Sequence, residues 1–176
     1  MKRSILLWQV AGLTFATALG TLLHFIYDIS GESLIFAPFS AVNESTFEHM
    51  KILFFPMLIF ALAQFAFFRK DSPCFWRIKA VGTGIAVLSI PLLFYTLTGI
   101  FGKLPAFVNI GIFFLSAGLG YLYEGLQFKK RLAPCRCCAL YFSLLLVTAI
   151  LFILGTFFPP HIPLFLDPVT GTYGIQ

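Results

Sequence analysis

Five apolar runs, each about as long as a helix needs to cross a bilayer, take up most of this 176-residue chain. A hydrocarbon core about 30 Å thick requires roughly 20 apolar residues per helix, so five crossings with short connections leave no room for a separate soluble domain. Composition agrees: 59% of the residues are hydrophobic and only 11% are charged, against about a quarter charged in soluble domains. The expected architecture is all-α, a polytopic membrane helix bundle forming one domain over 1–176. Its helices fall near 5–27, 50–68, 79–101, 105–126 and 137–158, with a cap built from 28–46 and 159–176. A membrane β-barrel would show short alternating segments instead of unbroken apolar runs.

Orientation follows from the basic residues. Lys2 and Arg3 precede the first run, Arg69, Lys70, Arg77 and Lys79 lie between the second and third, and Lys129, Lys130, Arg131 and Arg136 lie between the fourth and fifth; only Lys51 and Lys103 fall on the other side. The positive-inside rule then predicts an inside N-terminus and an outside C-terminus. Asp28, Glu32, Glu44, Glu48 and Asp167 gather on the outer side. The net charge is +5, but cations dispersed at helix ends do not make a nucleic-acid face, and the lipid bilayer is the partner they imply. Lys2-Arg3, an apolar run and Ala16-Thr17-Ala18 imitate a cleavable secretory signal. The run continues unbroken to Tyr27, which favours an uncleaved first helix.

Polar and small residues within the runs show what the bundle must bury. Gly12, Ala16, Gly20, His24 and Asp28 recur at i+4 steps on one face of the first helix, the spacing that lets membrane helices approach closely. Ser45 and Glu48 have the spacing of a capping box, with the hydroxyl accepting from the Glu48 amide and the carboxylate returning to the Ser45 amide. Pro56 and Pro91 are expected to bend or loosen their helices, with neighbouring hydroxyls such as Ser89 re-satisfying a freed carbonyl. Asn109, Ser116, Gly120 and Glu124 share one face of the fourth helix. Glu124 reads as a snorkelling carboxylate, or one paired with Lys129 or Arg131. Phe68-Arg69-Lys70 with Pro73-Cys74 is echoed by Phe128-Lys129-Lys130 with Pro134-Cys135, compatible with a parallel duplication or with coincidence. Cys74, Cys135, Cys137 and Cys138 all map to the inner side, where thiols stay reduced. Cys-x-Cys-Cys is not the paired spacing of a structural zinc site.

The outer side holds the candidate chemistry. All three histidines, His24, His49 and His161, map there, and His24, Asp28, Glu44, Glu48, His49 and Asn109 define a candidate polar pocket. Imidazoles and carboxylates at helix ends are ligands for a divalent metal or an acid and base for proton transfer, which makes His24, Asp28, Glu48 and His49 the candidate metal residues. A purely structural account stands beside this: Glu48 caps, Glu44 favours the helix N-terminus and His24 bonds across helices. No Ser-His-Asp order, phosphate loop or His-Glu-x-x-His motif is present, so the sequence names no catalytic residue and no cofactor. Three classes remain open: a small-ligand binding or transport-related component, a membrane-embedded enzyme (metal-dependent or not) acting on a lipid or membrane-proximal substrate, and a helix-packing scaffold for partner membrane proteins.

The stretch Asn43-Glu44-Ser45-Thr46-Phe47-Glu48-His49-Met50-Lys51, with His24-Phe25-Ile26-Tyr27 before it and Phe54-Phe55-Pro56 after it, resembles the signature of a family of small uncharacterised bacterial membrane proteins. Asp167-Pro168-Val169-Thr170-Gly171-Thr172-Tyr173-Gly174 is similar to that family's ending. The resemblance covers essentially the whole chain. It implies a multi-pass protein of a bacterial cytoplasmic membrane and brings no catalytic residues with it. The segment Ile162-Pro163-Leu164-Phe165-Leu166 is too apolar for a free tail and too short to span. It is expected to fold back over the bundle, the alternative being an interfacial segment in the headgroups.

Overall fold

In the computed structural model, residues 2–68, 72, 74–130 and 137–175 are described. They form α1 (Lys2–Ile29), α2 (Thr46–Phe68), α3 (Phe75–Phe101), α4 (Ala106–Phe128) and α5 (Cys138–Phe157), followed by one short 3-10 turn, Pro163–Phe165. No strand occurs among the described residues; the single isolated β-bridge joins Leu166 to Tyr173. All five helices are long and apolar enough to cross a membrane. Arg69, Lys70, Pro73, Arg131, Pro134, Cys135 and Arg136, and with them half of the proposed sequence repeat, lie outside the described residues.

The centre of the bundle is α2, which packs on α1, α3, α5 and the 3-10 turn, while α4 lies across α3 and α1. Two-thirds of its most apolar window is buried, against a third or less in every other helix. A helix that is apolar all round can serve as such a centre because it has no polar face to keep wet. Phe54, Leu53, Met57 and Ile52 are among its fully buried apolar residues, in a core that continues through Ala16, Ala86, Ile90, Phe113 and Ala117.

Close approach sets how these helices cross. A Cβ at Gly20 would lie 2.9 Å from the Ile52 carbonyl oxygen, and one at Gly120 would lie 2.7 Å from the Gly82 carbonyl oxygen. Backbone therefore meets backbone at the α1–α2 and α3–α4 crossings, which only a missing side chain permits. Pro56 and Pro91 sit inside unbroken helices. The Ser89 hydroxyl donates to the Ile85 carbonyl at 2.7 Å rather than to the Val87 carbonyl four residues before Pro91, because its short side chain reaches back one turn from its own position.

The α1–α2 loop and the tail, at one end of the bundle, are each ordered by their own hydrogen bonds. After α1, the Gly31 and Glu32 amides bond back to the Asp28 and Tyr27 carbonyls, with both residues at positive φ. The loop then turns twice, and the Ala41 amide donates to the Leu23 carbonyl at 3.2 Å. Beyond α5, the tail forms a hairpin around Asp167, whose carboxylate accepts from the Val169 amide at 2.7 Å and the Thr170 hydroxyl at 2.9 Å. The tail lies on the bundle: Phe165 stacks on Phe47 with ring centroids 4.1 Å apart, and the Gly174 carbonyl accepts from Asn43 Nδ2 at 3.0 Å.

The crossing geometry generates a paired test. Gly120→Val places a side chain against the α3 backbone and should destabilise the protein by about 1–3 kcal/mol, as overpacking does. Gly118→Val, where an added Cβ meets nothing within 4 Å, should stay within about 0.5 kcal/mol of the parent. Thermal unfolding of the two variants in detergent checks this; equal loss from both would refute the close-approach account.

Candidate functional site

Glu48 and Lys51 lie one turn apart at the start of α2 and are both almost completely buried. Lys51 Nζ stands 2.6 Å from Glu48 Oε2, and donates to the Ala37 carbonyl at 2.8 Å and to Thr156 Oγ1 at 2.7 Å. Glu48 Oε2 also accepts from the Val42 amide at 3.1 Å. The ammonium thus spends its three protons on the loop, on α2 and on α5. Only half of the expected capping box forms. Ser45 Oγ accepts from the Glu48 amide at 3.4 Å, but the Ser45 amide bonds to Asn43 Oδ1 at 2.9 Å. The Glu48 carboxylate is drawn to Lys51 instead, because a buried ammonium needs a counter-charge more than an amide needs a carboxylate.

One residue further along, His49 faces the other way. Its Nδ1 lies 2.9 Å from the Ser45 carbonyl oxygen, so Nδ1 carries the hydrogen and Nε2 is turned toward Glu44 Oε2 at 3.8 Å. From α1, His24 Nε2 approaches the other oxygen, Glu44 Oε1, at 3.5 Å. The two imidazole rings meet edge to face with centroids 5.3 Å apart. One ligand atom from each of His24, Glu44 and His49 lies within 4.8 Å of the other two. The Glu44 carboxyl is held below the ordinary carboxylate range, chiefly by its hydrogen bond with His24, with burial opposing.

The trio forms part of the wall of a cavity of about 970 Å³. Apolar residues of α1, α3 and α4, including Phe25, Phe94, Ile110, Phe113 and Phe114, make up much of the wall, and Pro168 and Val169 of the tail also line it. Besides the trio, its polar groups include Thr98, Lys103 and Asn109. Thr98 Oγ1, Asn109 Oδ1 and His24 Nδ1 are shielded from solvent and have no hydrogen-bond partner among the described residues.

Of the residues singled out from sequence, the fold brings His24, Glu44, His49 and Asn109 to one cavity. Asp28 is exposed at the end of α1 and is not among the wall residues, and Glu48 is committed to Lys51. His161 is exposed, with its ring 4.7 Å from that of Tyr173. The metal-competent trio therefore contains Glu44 where the sequence pointed to Asp28 and Glu48. Asp28 follows His24 by one turn, and at the helix end that turn carries it out of the groove.

Sequence reasoning also missed a second buried ion pair. Lys79 Nζ bonds to Glu124 Oε2, with both side chains essentially inaccessible. The aromatic rings of Phe60, Phe75, Tyr121 and Phe128 surround the ammonium at 5.4 to 6.0 Å. Lys79 enters α3 four residues after its start and Glu124 precedes the end of α4 by four. In an antiparallel hairpin those positions share a level, and that is the signal that could have found the pair in place of Lys129 or Arg131.

These features define an all-helical protein with five membrane-compatible helices and a largely apolar cavity that carries an imidazole–carboxylate–imidazole cluster on its wall. The chain belongs to a family of unknown function, DUF6512, whose profile matches residues 2–175. No curated protein and no solved structure matches it.

Removing the Lys51 ammonium would strand a buried carboxylate. Lys51→Met should cost about 3–5 kcal/mol, the range for breaking one side of a buried pair, and Lys51→Met with Glu48→Gln should recover much of it. Unfolding of the single and double variants in detergent measures this; a single variant as stable as the parent would contradict the role given to the pair.

Proposed function

We propose that the protein is a single-domain, five-span component of a bacterial cytoplasmic membrane, with its N-terminus inside and C-terminus outside, that binds a small amphiphilic ligand in its outward-facing cavity. The observation that carries this reading is the cavity itself. Its volume of about 970 Å³ lies at the upper end of the range of small-molecule pockets, and an apolar wall with a few convergent polar groups is what such pockets share. An acyl-like chain fits against Phe25, Phe94, Phe113 and Phe114, and a polar head fits beside His24, Glu44, His49 and Asn109. Lys103 favours a head carrying negative charge. Glu48 supports the site from outside its wall by fixing the first turns of α2.

A membrane-embedded enzyme is the second reading, favoured by the cluster of His24, Glu44 and His49, which has the composition of an acid–base or metal centre. The scaffold reading loses ground because Gly12, Gly20, Gly82 and Gly120 are already filled by neighbours within the chain. That leaves no small-residue stripe among them for a partner helix.

The orientation is tested by labelling with a membrane-impermeant maleimide. Cys137 is exposed at the start of α5, and Val169 is 76% exposed in the tail hairpin. A cysteine at position 169 should react in intact cells, whereas Cys137 should react only after the membrane is opened; the reverse pattern overturns the topology. The binding reading is tested with a lysophospholipid bearing a diazirine in its acyl chain, photolysed with the protein in liposomes. Adducts should concentrate on the cavity walls of α1, α3 and α4 and disappear in Thr98→Trp, which fills the cavity. Labelling spread evenly over lipid-facing residues such as Leu122 and Leu144 would sink the proposal.

A further inference from the structure

We propose that His24, Glu44 and His49 bind a divalent first-row transition metal through His24 Nε2, His49 Nε2 and the Glu44 carboxylate, leaving one coordination position open to the cavity. This goes beyond the amphiphile reading and does not depend on it.

The hydrogen-bond directions carry the argument. His49 Nδ1 uses its hydrogen on the Ser45 carbonyl, so the neutral ring presents the Nε2 lone pair to the Glu44 carboxylate 3.8 Å away. Two acceptors facing each other repel, and a positive charge between them removes the repulsion. A backbone carbonyl fixing Nδ1 while Nε2 points into the site is also the arrangement that orients metal-bound histidines, since it settles tautomer and ring angle in advance. Lys51 is already committed to Glu48, Ala37 and Thr156, which leaves Glu44 to the imidazoles.

Distances fit as well. With metal–ligand bonds of about 2.0–2.2 Å, ligands at tetrahedral angles stand roughly 3.3–3.6 Å apart. His24 Nε2 stands 3.5 Å from Glu44 Oε1 and His49 Nε2 stands 3.8 Å from Glu44 Oε2, so the carboxylate would turn by a few tenths of an ångström to offer one oxygen to both, and His24 would give up the Nε2 hydrogen it shares with Glu44 and carry its hydrogen on Nδ1. The three ligand atoms already lie within 4.8 Å of one another, and His24, whose Nδ1 has no hydrogen-bond partner to hold it, is the ring that can adjust. Two imidazoles and one carboxylate with an open position are the ligand set of zinc sites that bind an exogenous group and of ferrous sites. Oxygen-only cations such as calcium and magnesium are disfavoured by the two nitrogen ligands. Asn109 and Thr98, whose oxygens have no hydrogen-bond partner among the described residues, line the same cavity as the trio, so a metal-bound water or ligand head would have polar neighbours there.

The experiment uses the full chain, purified in detergent through a histidine-free affinity tag, stripped with chelator and titrated with cobalt(II), then with zinc(II) as competitor. The expected result is one cobalt per chain, with visible ligand-field bands that zinc abolishes. Glu44→Gln and His49→Ala should each weaken binding at least tenfold, since even outer-shell changes cost about 10–100-fold. Asp28→Asn and His161→Ala should leave it unchanged, and so should replacing all four cysteines with Ser. Melting temperatures taken in chelator separate loss of a ligand from loss of fold, and His24→Gln serves as the second ligand variant should His49→Ala fail to fold. Cobalt bands that survive Glu44→Gln but vanish with the cysteines would overturn the assignment, as would less than stoichiometric binding.

Discussion

The ammonium of Lys51, sealed in the interior, is the constraint from which the cap end of this molecule follows. A lone buried cation is intolerable, and even a paired one must have its remaining protons satisfied. Lys51 meets both demands with Glu48, the Ala37 carbonyl and the Thr156 hydroxyl. Those partners belong to α2 itself, to the α1–α2 loop and to the last turn of α5. Glu48 extends the network to the Val42 amide, so a single ion pair fixes where the loop crosses α2 and where α5 ends. His49 and Glu44 inherit their positions from it: one is the next residue of the same helical turn, and the other lies on the loop segment between Val42 and Ser45.

The opposite end repeats the logic with different geometry. Lys79 and Glu124 join α3 to α4 across the hairpin, shielded by aromatic rings that also favour a cation. In a membrane, lipid tails are as apolar as leucine, so apolar contact alone does not choose which helices meet or at what angle. Buried pairs and glycine crossings make that choice. Gly82 lies under the Glu124 side chain, and Gly120 lies against the Gly82 carbonyl. The α3–α4 crossing is thus specified by charge and by shape at nearly the same level.

The spans were legible because a bilayer imposes a length and a polarity that any crossing helix must meet, and these are visible without knowing the packing. The start of α2 was legible for a similar reason: Ser45 and Glu48 state a local rule. What lay beyond the sequence was the destination of each carboxylate. Glu48 satisfies the capping pattern on paper, yet in the fold its charge goes to Lys51 while Asn43 takes the Ser45 amide. Asp28 shares a helical face with His24, but α1 ends there and the side chain emerges into the open. Glu44 reads from sequence as a pocket residue that favours the helix N-terminus, and its place among the metal candidates emerges only when the loop folds and brings it between two histidines from different helices. Periodicity reports faces within an element; it cannot report which face of which neighbour lies opposite.

The cavity depends on the same chain of causes. Its apolar part lies between α1, α3 and α4, but Glu44 and His49 of its polar wall come from the loop and the first turn of α2, and the tail hairpin adds Pro168 and Val169; loop, α2 and tail are tied together. Asn43 holds Gly174, Phe47 holds Phe165, and Asp167 shapes the turn that sets Pro168 and Val169 in the cavity wall. A tail that merely filled space could use any apolar residues, whereas one that closes a cavity must end its turn at a fixed place. The concentration of specific hydrogen bonds at Asn43 and Asp167, in a tail otherwise apolar enough to pack anywhere, is the physical reason to read the tail as the wall of a site and not as a plug.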